Sequence, residues 1–304
     1  FGRNRCGAGY QLFGVIMDRI MLETAEGLAE AVAFANCQFG LDFRRFQPKI
    51  YGFPDGGETY TYRKNGEIAG MLSVYPCIFQ NYKCLSVGTV CTAPAYRGQG
   101  IMTALFTRLQ EAVFPDYDIV TLCGKRERYE HFGFAKAMTY PEYWFCPRNS
   151  APLHARRANE GDKMLLHDLW EAYGNGVRRP LDRIFYILKS AGHEVLLLSD
   201  GIRWGYLAWK PQKRLVTEYC GPWQSQDVVD SLAPLCGKGK IGMMGKFNCQ
   251  DVPSLQSCDS YLIRNHGNVW LKSADVKETY DICGYGGKDP KLILPTSLFF
   301  LDGI

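Results

Sequence analysis

Residues 87–105 read VGTVCTAPAYRGQGIMTAL, and the order of residue types in this stretch decides the fold. Val87 to Thr92 is β-branched and apolar, the composition of a strand. Pro94 ends that run, and Arg97-Gly98-Gln99-Gly100 follows as a turn. Ile101, Met102, Leu105, Leu109, Ala112 and Val113 then recur on one face of a 3.6-residue repeat. A strand therefore feeds a glycine-bearing turn, and the turn opens a helix expected over Arg97 to Phe114. The first turn of a helix has backbone N–H groups with no partner inside the helix. Together with the helix dipole they attract an anion. Gly98 and Gly100 lack a Cβ, so a phosphate can approach the backbone closely. Arg97 adds a fixed positive charge. Residues Arg97, Gly98, Gln99, Gly100, Ile101, Met102 and Thr103 thus read as a pyrophosphate cradle. The stretch is not the dinucleotide G-x-G-x-x-G, because Thr103 stands where the third glycine would be. Nor is it a G-K-[ST] phosphate loop, because no lysine follows Gly100.

Around this centre the chain reads as α/β, an α+β arrangement on a mixed sheet. Met21 to Asn36 has helical spacing, with Thr24 able to cap its start. Cys37 to Pro54 carries Phe39, Phe43, Phe46 and Tyr51 and suits a helical turn and an ordered loop. Thr59 to Arg63 and Glu67 to Tyr75 flank Asn65-Gly66, a strong hairpin signal. Tyr82 to Thr92 pairs next, and Gly88 inside it suggests a bulge that splays the strand from its neighbour. Asp118 to Cys123 is a further strand, Glu127 to Phe132 a short helix, and Ala135 to Phe145 closes a first lobe. Pro147 to Pro152 marks a linker.

The second half repeats the order. Glu160 to Gly174 and Pro180 to Ala191 are helical. Glu194 to Ser199, Ile202 to Trp209 and Arg214 to Tyr219 form a meander, and Asp227 to Leu235 is a helix. After Tyr219, however, the chain reads CGPWQSQDVVDSL, with Pro222-Trp223 in place of an Arg-Gly-x-Gly turn. The alternative is an unrelated α+β domain.

A chain of 304 residues suits one large or two ordinary domains. A net charge of +4 is too small and dispersed for a nucleic-acid partner, and it suits a polyanionic ligand. None of the 12 cysteines form a C-x-x-C pair, and the five histidines lie away from cysteine pairs. The expectation is free thiols in a reducing cytoplasm and no metal site. No apolar run reaches the ~18 residues of a membrane helix, so no membrane partner is expected.

The run V-x-T-x-P-x-Y-R-G-x-G-I-x-x-x-L, residues 90–105, resembles motif A of the GCN5-related N-acetyltransferases (GNATs). Arg128-Tyr129-Glu130-His131-Phe132-Gly133-Phe134 is similar to that family's Y-x-x-x-G-F segment, and it falls in the right order after the strand at 118–123. Ala95 stands where the family often has Gln or Arg. The resemblance implies a GNAT fold in a first lobe, residues 1–147, and a degenerate GNAT-like second lobe, residues 148–304. Two lobes with one intact cradle resemble the enhanced-intracellular-survival type. Too few residues follow Leu262 for that type's third domain.

The resemblance implies acetyl-CoA as co-substrate, with its pantetheine arm hydrogen-bonded to the backbone of Val90, Cys91 and Thr92. It implies direct acetyl transfer to a primary amine of a small molecule or peptide, polarised by backbone N–H groups near Val90 to Thr92. The matching family tyrosine protonates the departing thiolate, which assigns that role to Tyr129, since a phenol holds its proton more tightly than a thiol. The strand at 82–92 has no Asp or Glu to act as base. Water, a carboxylate from elsewhere or the terminal carboxylate at Ile304 must serve, the last being a device of bilobal relatives. His131, two residues from Tyr129, points to another side of its helix and reads as solvated or structural. An acyl-cysteine at Cys91 or Cys123 lacks a His or Asp partner. Tandem-lobed relatives often assemble, so a homo-oligomer is a further implication. The competing hypothesis is a non-catalytic acyl-CoA-binding or sensor module. The intact cradle together with Tyr129 favours the enzyme.

Overall fold

The computed structural model describes residues 19–244 and 261–273, apart from 54–55, 80, 125–126, 149, 151, 175–176 and 238. A short strand β1 (Arg19–Leu22) precedes helices α1 (Ala25–Phe39), α2 (Phe43–Phe46) and α3 (Pro48–Tyr51). Strands β2 (Glu58–Lys64), β3 (Glu67–Phe79) and β4 (Tyr82–Thr92) then form an antiparallel meander. The β2–β3 turn puts both Asn65 (φ 54°) and Gly66 (φ 88°) in the left-handed region, as a tight hairpin requires. Helix α4 (Ile101–Ala112) crosses to β5 (Ile119–Gly124), which lies parallel to β4.

The same plan recurs later. Strand β7 (His154–Arg157), helices α5 (Lys163–Tyr173) and α6 (Ile184–Lys189), and strands β8 (Glu194–Ser199), β9 (Trp204–Lys210) and β10 (Leu215–Cys220) lead into α7 (Ser225–Cys236). Helix α7 crosses to β11 (Ile241–Met244), parallel to β10. Each half thus has an antiparallel meander, a crossover helix and a parallel strand.

The two halves are joined in one twelve-stranded sheet by β6 (Ala135–Phe145) and β12 (Tyr261–Ser273). Strand β12, from the late part of the chain, lies between β5 and β6, and β6 bonds to both β12 and β11. The expectation that 135–145 closes a first lobe is corrected: β6 is a seam strand. Sequence spacing could not show this, because β6 finds its partners far away along the chain.

Hydrophobic burial follows the alternation of each strand. Leu72, Val74, Leu85 and Val87 pack beneath Leu105, Phe106 and Leu109 of α4, while Met71 and Ile68 face Ala31, Val32 and Ala35 of α1. In β8 both faces are buried, Val195 and Leu197 on one side and Leu196 and Leu198 on the other, which explains its unbroken apolar run. Phe79, Cys84 and Ile119 of the first half share one core with Leu166, Trp170, Ile187 and Tyr206 of the second. No disulfide forms among the described cysteines.

A buried ion pair lies inside the second half. Arg179 donates from both Nη atoms to the Glu218 carboxylate at 2.7 and 2.8 Å, Tyr206 donates its hydroxyl to Glu218 at 2.8 Å, and the Trp170 ring lies 3.6 Å from the guanidinium. Arg179 is 1% exposed. Its neighbours tie this pair to the first half: Arg178 donates its N–H to the Ile78 carbonyl, and Val177 bridges to Phe79. Removing one partner of such a pair strands a charge in low dielectric. Glu218→Leu is therefore expected to lower urea-unfolding stability by about 3–5 kcal/mol. The double variant Arg179→Met/Glu218→Leu should be more stable than the single one. A double variant as unstable as the single would refute the stranded-charge account.

Candidate active site

The turn before α4 is built by two glycines. Pro94–Tyr96 forms a 3₁₀ turn, Arg97 is extended, and Gly98 (φ 77°) and Gly100 (φ 75°) take left-handed conformations. Those two φ values stop the helix from beginning at Arg97, as expected above, so it starts at Ile101, where its apolar spacing begins. It ends at Ala112, because Val113 is non-helical and Pro115 lies in the following 3₁₀ turn. Gly100 is the N-cap and offers no side-chain oxygen to the first turn. The first helical bond runs from the Ala104 N–H to the Gly100 carbonyl. The N–H groups of Ile101, Met102 and Thr103 come before it and face away from the helix. A Cβ built at Gly98 or Gly100 would meet nothing within 4 Å, so the space over this turn is open.

Strand β4 forms the other wall. Its parallel register with β5 runs from Cys84 to Val87 opposite Ile119 to Leu122 and ends there, while β4 continues to Thr92. Against β3, Met71 pairs with Cys91 and Ser73 with Gly88, so Leu72 alone faces Thr89 and Val90. This is a β-bulge just after the glycine that suggested one. Gly70 pairs with Thr92, and a Cβ on it would lie 2.6 Å from the Ile101 side chain, so the end of β4 and the start of α4 are packed together over this glycine.

The two walls meet in one cleft of about 640 Å³. Val90, Cys91, Thr92, Arg97, Gly98, Gly100, Ile101, Met102 and Thr103 all line it. Gln38, Phe39 and Tyr96 line it too. The first two come from the end of α1, and no local sequence signal marks them. Gln99 turns aside: its Nε2 donates to the Ala95 carbonyl, and its Oε1 accepts from Lys64 Nζ at 2.8 Å. The Arg97 Nε donates to the Thr92 carbonyl at 3.4 Å. Arg97 and Lys64 therefore place two cations around the turn. Lys64 was not legible beforehand, since the hairpin meets the turn only in the folded sheet. Burial pushes the Cys91 thiol up to about 12, which keeps it protonated across the neutral range.

Tyr129 does not line this cleft. It lies in the 3₁₀ segment Glu127–Phe132, is 8% exposed, and its ring centroid is 6.4 Å from that of Phe106 on α4. Gly133 (φ 76°) ends that segment and lets Phe134 fold back under Phe106 and Phe114, with its N–H bonded to the Tyr129 carbonyl. His131 is exposed. Ile304 lies outside the described residues. Among those residues no cluster of His, Cys, Asp and Glu could hold a metal ion, and no helix is long and apolar enough to cross a membrane.

The corresponding place in the second half is filled. Trp223, between β10 and α7, donates its backbone N–H to the Tyr219 hydroxyl at 2.8 Å and its indole N–H to Asp200. Its ring lies against Gly205, where a Cβ would be 2.8 Å from it. The first turn of α7 carries Asp227, the wrong charge for an anion.

Residues 29–134 match the model of the acetyltransferase (GNAT) family. No curated protein sequence matches the chain. Among solved structures, a conserved protein of unknown function from Enterococcus faecalis is 16% identical and superposes with a TM-score of 0.64, covering 84% of this chain and 73% of that one. Eis1 from Mycobacterium abscessus is 14% identical, with a TM-score of 0.57 over 86% and 74% of the two chains. A tandem GNAT protein of the clavulanic acid biosynthesis pathway is 10% identical, with a TM-score of 0.51 over 85% and 99%. At these identities the three structures speak to fold alone. The family match over the lobe that holds the cleft, on a fold shared with a tandem GNAT protein, makes that lobe a GNAT acetyltransferase domain and the chain an acyltransferase that resembles the tandem-lobed members of the family.

Proposed function

We propose that this chain moves the acetyl group of acetyl-CoA directly to a primary amine of a small molecule or peptide. One observation carries the reading: the parted end of β4 and the uncapped start of α4 open into the same cleft. A coenzyme A ester supplies a pyrophosphate and an amide-bearing arm, and the cleft offers a partner for each. The N–H groups of Ile101, Met102 and Thr103, with Arg97 and Lys64 nearby, suit the pyrophosphate. The unpaired edge of β4 at Val90 to Thr92 suits the amides of the arm. A backbone N–H from the same edge can polarise the thioester carbonyl.

Cys91 stays a thiol, which supports direct transfer over an acyl-cysteine. Tyr129 is the proposed acid toward the leaving thiolate. Its support is the family pattern and its place just after β5, the strand from which β4 parts. Its absence from the cleft wall favours the second reading, a non-catalytic acyl-CoA-binding module. Ile304 as base and assembly into a homo-oligomer belong to the proposal, as does a cytoplasmic setting.

Three measurements test these assignments. In calorimetric titration with acetyl-CoA, the wild type is expected to bind. Gly100→Glu sets a carboxylate over the turn and should weaken binding by at least about 100-fold, as loss of a charge-assisted anion site would. Asn tolerates the left-handed region better than other side chains, so Gly100→Asn should stay within about tenfold of wild type. Equal binding by Gly100→Glu in the folded state would remove the cradle from the site. In acetyl transfer to a panel of amines, Tyr129→Phe should lower kcat by about 100-fold with KM for acetyl-CoA unchanged. An unaltered kcat assigns the proton to another group. Cys91→Ser should keep acetyl transfer within a few-fold of wild type, and loss of activity with full acetyl-CoA binding would revive the acyl-cysteine.

A further inference from the structure

The bulge that turns β4 toward the cleft rests on a residue in an unfavourable conformation. Thr89 has φ 49°, in the left-handed region, and β-branched side chains rarely adopt it. Such a residue persists only when its surroundings hold it there. Thr89 is 7% exposed, and the Tyr51 hydroxyl donates to its Oγ1 at 3.0 Å. Tyr51 has one proton to give, so at its other contact the Ser73 hydroxyl must donate to Tyr51, at 2.8 Å. Ser73 has then spent its own proton, so Thr59 donates to Ser73, at 2.9 Å. The chain of donors runs Thr59, Ser73, Tyr51, Thr89 and is buried throughout. Its members come from β2, β3, α3 and β4. The Tyr51 ring is held edge-on to Phe43, at 5.9 Å.

From this geometry we infer that Tyr51 is a positioning residue for acyl-CoA binding. Its hydroxyl tethers Thr89 in the left-handed conformation, and the resulting bulge sets the direction in which Val90, Cys91 and Thr92 present their backbone groups to the cleft. Tyr51 does not line the cleft, and its hydrogen bond to β4 is made to Thr89. It acts through Thr89 alone. The inference rests on the acetyl-CoA reading of the cleft, and glycine provides a way to separate the two. Glycine at position 89 adopts the left-handed region without a tether.

The experiment compares wild type, Tyr51→Phe, Thr89→Gly and the double variant on the full chain. Each is measured by calorimetric titration with acetyl-CoA and by hydrogen exchange of the backbone amides of residues 86–93 in the free protein. Tyr51→Phe keeps the ring and its packing. It should weaken acetyl-CoA binding about tenfold, the effect of losing one buried hydrogen bond. It should also speed exchange in residues 86–93 about tenfold. In the Thr89→Gly background the same substitution should change neither quantity. A merely structural role would lower the melting temperature of Tyr51→Phe, leave affinity and exchange at 86–93 unchanged, and gain nothing from glycine. Either that result or an equal loss in both backgrounds overturns the tether. If the folded wild type does not bind acetyl-CoA, the functional reading falls. The exchange data then decide the tether by themselves: faster exchange in Tyr51→Phe, cancelled by glycine, upholds it, and unchanged exchange overturns it.

Discussion

A sheet is held together by backbone hydrogen bonds, and a buried N–H or C=O without a partner is costly. Where β4 and β5 stop pairing after Val87 and Leu122, one edge of β4 is left to find other partners. The start of α4 leaves three more N–H groups uncommitted, because a helix cannot bond its own first turn and Gly100 supplies no side-chain cap. Residues of both sets line the same cleft. The rest of the first half keeps them there. Leu105, Phe106 and Leu109 lock α4 onto the sheet, and Gly70 lets the end of β4 approach Ile101 closely. A cleft wall made of backbone groups gains its direction from the packing behind it, here Leu105, Phe106 and Leu109.

The second half solves the same backbone problem differently. It has the meander, the crossover helix and the parallel strand, yet Trp223 occupies the turn and Asp227 opposes an anion. What it contributes to the described structure is support. Seam strands β6, from the middle of the chain, and β12, from its late part, run between the halves, and a shared core packs Phe79 and Ile119 against Trp170 and Tyr206. The segment 177–179 reaches β3 and carries the buried Arg179. The first half is therefore not braced by its own strands alone.

Local rules made much of this legible. Asn65-Gly66 marked its hairpin because few residues other than Asn and Gly accept two successive positive φ values. The apolar spacing of 101–109 marked the buried face of α4, and Gly88 marked the neighbourhood of the bulge. The misses have one cause. Strands β1, β7 and β11 are four residues each, too short for a period to show. The insertion of β12 between β5 and β6 is a long-range pairing that no window of residues contains. Gln38 and Phe39 reach the cleft, and Lys64 reaches the turn beside it, from elements distant in the chain. The aromatic stretch at 37–54, expected as a helical turn and an ordered loop, supplies both core and cleft wall, with Phe43 and Tyr51 inside and Phe39 at the cleft.

By itself the sequence determined the order of the longer elements through α7, the position of the glycine-bearing turn before α4 and the absence of that turn from the second half. Each of these follows from the conformational freedom of a few residues and the period of their neighbours, which are properties of short segments. Only the tertiary structure decided which cations surround the turn, where Tyr129 lies relative to the cleft, and how far β4 parts from β5. It also decided that one buried tyrosine hydroxyl reaches Thr89. Those are contacts between segments tens of residues apart, set by competition for a shared core and by backbone groups that must all be paired at once.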